Sequence, residues 1–345
     1  LREKYKDNMN KTSAPAKTIL FGEHSVVYNR LGIATTIDKR CFVTVDSNHE
    51  NNISIDSKGL NLKQSLTQGE LSNLFEYVEE LKSKKDFKNL KEMGEKDRLS
   101  PSLFIIAHLM RDDFTPIRII DKSEIPKNFG SSSSAYAAIA LGVSKFLGKD
   151  LSKKEISDLA YQGDIIAHGG TPSGIDSSIV TYGGYIQYKK SEGIRPLNID
   201  FKLPLLFVES GEKARTGETV TCVRQQRERD EKSVDRIFDS INSISEQALD
   251  FLKSQNLEPL GRLMTRHYTE LRKLDISTPK LDQIIEIAVK NKAFGAKPTG
   301  GWGGGCCIVL AKNQSQADEL MKIYKERGFN SFQAKIGVEG VKDEF

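Results

Sequence analysis

The run NFGSSSSAYAA, Asn128 to Ala138, joins one glycine and four serines to the start of a helical apolar pattern. Small residues let the backbone fold tightly, so that successive N–H groups point at one centre. A helix beginning there adds the positive end of its dipole. Together these make an anion site, most often one for phosphate. A flexible serine-rich linker is the competing reading. Against it, the run leads straight into AYAAIALGV, a strong helix former. Hydroxyls at such a loop also suit Mg²⁺, a hard cation that prefers oxygen.

On the N-terminal side, 14–21, 31–37 and 41–46 read as strands rich in β-branched residues. Residues 50–98 are polar and mixed, with a helix near 69–83 and a charged run at 82–98 that reads as a solvated face or loop. A buried helix with proline at its start follows at 101–111, then a strand at 116–121. After the serine loop come helices at 132–147 and 152–168, the second capped by Ser152. A strand pair is expected at 178–188 around Gly183-Gly184, and a strand at 204–209. The rest is more helical, at 217–228, 232–254, 257–273, 279–292 and 314–327. A glycine-rich loop at 295–305 leads into a strand at 306–311, and a last strand lies near 330–337. Strands and helices mix without regular βαβ alternation, so the class is α+β. The 345 residues suggest two domains at about 150 residues each. The expected division is 12–195 and 196–345, with 1–11 as a leader.

The balance of 51 basic and 47 acidic residues, net +4, leaves no electrostatic footprint of nucleic-acid binding. No apolar run of about 18 residues is present, so no membrane partner is expected. The four cysteines form no CxxC pair, which argues against zinc and for buried free thiols in a reducing cytoplasm.

Four further stretches carry chemistry. GGWGGG, 300–305, puts five glycines before a buried strand, where glycine costs backbone entropy. Close approach of backbone to a ligand explains it better than a mobile hairpin. Trp302 there either covers a ligand or plugs a gap. In SGIDSSIVTYGG, 173–184, Asp176 follows a turn, where an aspartate is usually structural. In APAKTILFGEHSVVY, 14–28, Lys17 interrupts an apolar strand and either snorkels or reacts. Glu23 and His24 offer polar groups at the strand end. Asp164 falls on the apolar stripe of its helix. Burial there is expensive unless the carboxylate is salt-bridged or metal-bound.

In chain order, these stretches resemble the signature motifs of the galactokinase, homoserine kinase, mevalonate kinase and phosphomevalonate kinase superfamily. SAPAKTILFGEHSVVYNRLGIATTI, HGGTPSGIDSSIVTYGG and AFGAKPTGGWGGGCCIVL are most similar to its mevalonate kinases, and the resemblance spans residues 12–335. It implies two α+β domains with ATP and a small alcohol, mevalonate, in the cleft between them, and a homodimer is among the expected assemblies. The catalytic aspartate falls on Asp176 and the motif lysine on Lys17. Asn128, Gly130, Ser131, Ser132, Ser133 and Ser134 fall on the ATP phosphate loop. Ser134 and Asp164 fall on the Mg²⁺ ligands, and Glu23, His24, Thr299 and Gly300 on the substrate contacts. Arg215, Thr216 and Arg224 are candidates for the substrate carboxylate. Three departures stand out: Ser132 replaces a glycine of GLGSSA, Trp302 replaces a glycine of TGAGGGG, and Asp164 stands where Glu is common.

Overall fold

The apolar run ahead of Gly22 forms one long strand, β1 (Asn10–Phe21), in a computed structural model that describes residues 9–126, 129–170 and 172–344. Its partner β2 (Gly32–Ser47) is also continuous, where the sequence suggests two strands. The polar break at Asp38-Lys39 is absorbed as a bulge: Pro15 pairs with Arg40, but Ala16 pairs with Ile37. β3 (Ile53–Ser57) and β4 (Leu62–Leu66) form a hairpin inside the stretch that reads as mixed and polar.

Helices α1 (Gln68–Ser83), α2 (Phe87–Lys96) and α3 (Ser100–Leu109) precede β5 (Ile117–Ser123). Next come α4 (Ser131–Phe146) and α5 (Lys153–His168), the latter opened by a Ser152/Glu155 capping box. The expected strand pair at 178–188 is instead a helix, α6 (Ile175–Tyr182), followed by β6 (Tyr185–Lys189) and β7 (Gly193–Leu197). Gly174 and Gly183, both at positive φ, punctuate the helix at its two ends. Ile175, Ile179 and Val180 are buried on its core face. Burial of that face outweighs the strand propensity of a β-branched run.

The second half supplies β8 (Leu205–Glu209), α7 (Thr216–Arg229), α8 (Glu231–Lys253), α9 (Leu257–Arg272) and α10 (Pro279–Lys290). β9 (Gly295–Thr299), β10 (Cys306–Leu310), α11 (Gln314–Glu326), β11 (Asn330–Gln333) and β12 (Lys342–Asp343) complete the chain. The expected loop at 295–305 is therefore strand β9 plus the short connection 300–305.

One sheet runs β12-β1-β2-β5-β3-β4, with β6 on β2 and β7 on β6; the other runs β11-β8-β10-β9. The chain leaves the first sheet after Leu197, enters the second at Leu205, and returns to pair β12 with β1. Arg40 pins this return, donating to the carbonyls of Glu339 and Gly340 at 2.9 and 2.7 Å. The halves share a core. Ala16, Leu20, Phe21, Ile33 and Ile37 pack in one cluster with Leu205, Phe207, Ile308 and Leu310. β1 thus lies against the second sheet as well as inside the first, and it carries Lys17.

Candidate active site

Lys17 leaves β1 and crosses the serine loop. An added Cβ on Gly130 would lie 2.8 Å from Lys17 Cγ and 2.9 Å from Cε, and Gly130 has φ +78°. The Lys17 N–H also donates to Phe129 O at 3.0 Å, so loop and strand are fixed together. The lysine does not snorkel. Its Nζ ends 2.7 Å from Asp176 Oδ1. Asp176 occupies the first turn of α6, where the helix dipole favours a carboxylate. Its side chain is 37% exposed, so an oxygen stays within reach of a ligand.

The serine run begins α4, whose N-cap, Gly130, supplies no side-chain cap. The first N–H groups of the helix are left for an anion. Ser131 is half-buried and Ser132 exposed there. Ser133 Oγ donates to Asp164, 2.8 Å from Oδ1 and 3.0 Å from Oδ2. Ser134, expected to hold the metal, is turned inward: its Oγ reaches Pro15 O at 2.7 Å and Gly130 O at 2.8 Å. Successive helix residues point about 100° apart, so only one of these two serines can face α5, and it is Ser133. Asn128 lies outside the described residues.

Gly163 lets α5 approach α4 closely; a Cβ there would stand 2.6 Å from the Tyr136 ring. That approach brings Asp164 to Ser133. Asp164 is 3% exposed and has no ion-pair partner among the described residues. Burial and then the charge of Asp176 push its carboxyl up to about 8, against the Ser133 hydrogen bond and Lys17. A buried carboxylate lacking a counter-charge, with a hydroxyl beside it, suits a hard cation that takes its remaining ligands from phosphate and water. No group of three or more His, Cys, Asp or Glu side chains is placed to hold a metal among the described residues.

The expected substrate contacts divide. Glu23 is buried, with its carboxylate on Lys297 Nζ and 3.4 Å from His267 Nε2. Thr299 is also buried, and its Oγ engages Thr18 Oγ, Ile19 N and Ile19 O at 2.9, 3.1 and 3.0 Å. These two are committed to contacts inside the protein, Glu23 with Lys297 and Thr299 with β1. His24 Nε2 lies 3.1 Å from Gly301 O. Gly300, at φ +84°, has open space where a side chain would be.

Profiles described as the N-terminal domain and the C-terminal region of GHMP kinases match residues 102–184 and 248–330. A mevalonate kinase of Pyrococcus furiosus is 32% identical over 96% of this chain and 97% of its own length. The chain belongs to the GHMP kinase family. A relative from Methanocaldococcus jannaschii, also a mevalonate kinase, is 31% identical over 90% of this chain and 95% of its own. The crystal structure of the Methanococcus jannaschii mevalonate kinase superposes with a TM-score of 0.78 at 29% identity, covering 96% of this chain and 99% of that one. Another solved structure, that of L. major mevalonate kinase in complex with R-mevalonate, shares the fold with a TM-score of 0.74 at 23% identity, covering 95% of this chain and 96% of that one.

In this GHMP kinase Trp302 plugs a gap. It is fully buried at φ +66° and stacks on Tyr268, ring centroids 5.9 Å apart. At the glycine turn, Thr216 packs on Gly301 and Arg215 on Gly303. Arg224 lies more than two turns further along α7, beside Glu228. Sequence reasoning passes over Lys297 and His267. The available signal is that Lys297 repeats the pattern of Lys17, a single cation inside a buried strand.

Proposed function

We propose that this kinase transfers the γ-phosphoryl group of ATP to the 5-hydroxyl of mevalonate, forming 5-phosphomevalonate and ADP in isoprenoid biosynthesis. The carrying observation is the Lys17–Asp176 contact at 2.7 Å, beside a helix N-terminus whose N-cap is a glycine, Gly130. The names of the relatives above support the choice of alcohol.

Phosphoryl transfer needs positioning and charge stabilisation more than covalent help. Asp176 accepts a hydrogen bond from the attacking hydroxyl and takes its proton as the new O–P bond forms. The bond from γ-phosphorus to the bridging oxygen breaks, and that oxygen leaves with ADP. Lys17 orients Asp176 and offsets the charge gathering on the transferred group. The α4 N-terminus, with Gly130, Ser131 and Ser132, holds the triphosphate. Ser133 and Asp164 would hold Mg²⁺, which neutralises phosphate charge when bound. Arg215 and Thr216, beside the glycine turn, are the groups for the mevalonate carboxylate. The reading includes a homodimer, which sedimentation tests. Among the described residues no helix is long and apolar enough to cross a membrane.

ATP consumption against mevalonate, its monophosphates, homoserine and galactose tests the proposal, with the phosphorylated position read by phosphorus NMR. Turnover on mevalonate at the 5-position is expected. Turnover only on a monophosphate moves the substrate one step along. No turnover on any alcohol refutes the kinase reading.

A further inference from the structure

Lys297 stands on β9 with no solvent exposure, its ammonium on the Glu23 carboxylate and 3.5 Å from Ile19 O. His267 of α9 closes the other side, accepting the Gly22 N–H on Nε2 at 3.0 Å. Two residues along β9, Thr299 binds Thr18 and both backbone groups of Ile19. The second sheet therefore grips β1 at Thr18, Ile19 and the Gly22-Glu23 turn, and the grip begins one residue after Lys17.

A buried ion pair is a poor device for stability alone. Desolvation cancels much of its attraction, and an apolar pair of similar volume is often as stable. Here burial pushes the Glu23 carboxyl up and the Lys297 ammonium down, and each is partly offset by the charge of the other. The charge of Lys17 also acts on Glu23. The pair lies where it can govern the reactive lysine.

We propose that Lys297 is a positioning residue: through Glu23 and the β9 edge it sets the place of Lys17 on Asp176. The effect on turnover rests on the kinase reading above; the effect on geometry does not. A displacement of about 1 Å at a reacting group costs on the order of 10²-fold in rate.

The decisive variant is the double Glu23→Gln/Lys297→Met, which is neutral and close in volume, so it folds even where Lys297→Met alone does not. Its kcat is expected to fall on the order of 10²-fold, with KM for ATP within about threefold of wild type. Lys297→Arg, which keeps the charge, should recover part of that loss. A crystal structure of the double variant should show Lys17 Nζ beyond hydrogen-bond reach of Asp176, a readout that stands even if mevalonate is not the substrate. An unchanged 2.7 Å contact, or a folded double variant with kcat within about twofold of wild type, overturns the proposal. So does a KM that rises as far as kcat falls.

Discussion

Ser133→Ala and Ser134→Ala remove the same atom from neighbouring residues and should do different things. Ser134 Oγ reaches Pro15 O at 2.7 Å inside β1, and it is fully buried. Its loss strips a buried carbonyl of a donor, at about 1–3 kcal/mol. For a chain of this size that is a fall in Tm of roughly 1–4 °C. Gly130 O keeps the Ser134 N–H at 3.0 Å, so the loop should hold its shape and the Mg²⁺ requirement should not move. Ser133 Oγ instead faces both oxygens of Asp164. Without a cation that carboxyl is held up to about 8 and is largely protonated at neutral pH. Losing one neutral hydrogen bond there costs only about 1 kcal/mol. With a cation the carboxylate must ionise, and the site has also lost an oxygen ligand. Loss of such a partner raises the metal requirement by about 10–100-fold. Initial rates against free Mg²⁺ at saturating ATP and mevalonate, with thermal melts of both variants, make the comparison. A raised Mg²⁺ requirement in Ser134→Ala together with an unchanged one in Ser133→Ala refutes the assignment.

Three further outcomes follow from the same geometry. Asp176→Asn should lower kcat by about 10²–10⁴-fold, the range for loss of an acid–base group, while nucleotide affinity measured by calorimetry stays within about threefold. Gly130→Ala would place a methyl 2.8 Å from Lys17 Cγ at φ +78°. It should destabilise by more than about 1 kcal/mol and lower kcat as the lysine is displaced, read by denaturant melts and steady-state rates. His24 is held down to about 4 by burial, with its bond to Gly301 opposing. The unfolded chain takes up a proton below the ordinary 6.5 that the folded state refuses. Stability is therefore full above 6.5 and falls towards pH 4, at up to about 1.4 kcal/mol per pH unit. His24→Gln should flatten part of that slope in urea melts between pH 4.5 and 7.5, and an unchanged slope would exclude His24 as its source.

The long helices of this fold are legible because their signals are local. Ser152 and Glu155 close a capping box three residues apart, and the apolar stripe of α5 follows at once. Two elements fail to show for opposite reasons. SSIVTY has the composition of a strand, yet it forms the end of α6 because Ile175, Ile179 and Val180 meet the core on one helical face. GAKPT has the composition of a loop, yet it is β9. Proline removes a ladder donor and is tolerated at an edge, and β9 is the edge of its sheet.

The site is legible as residue types and, through the family resemblance, in the Lys17–Asp176 contact; the Glu23–Lys297 and Ser133–Asp164 pairings are not, because those partners are far apart in the chain. Glu23 and Lys297 are separated by 274 positions. Charge pairing nevertheless constrains the outcome. A cation in a buried strand requires a carboxylate, and a carboxylate on a buried stripe requires a cation. Lys17 takes Asp176, and Lys297 takes Glu23. Asp164 is left with Ser133 and no cation among the described residues. It is protonated to a large extent when alone, which removes the cost of leaving it unmatched. The two buried lysines are already matched within the chain, so the charge that ionises Asp164 has to arrive from outside. The place left for it is beside the start of α4 at Gly130, where the phosphates of a nucleotide would also lie. Metal and triphosphate should therefore bind with positive coupling, each tightening the other, and Asp164→Asn should abolish that coupling while leaving metal-free nucleotide binding intact.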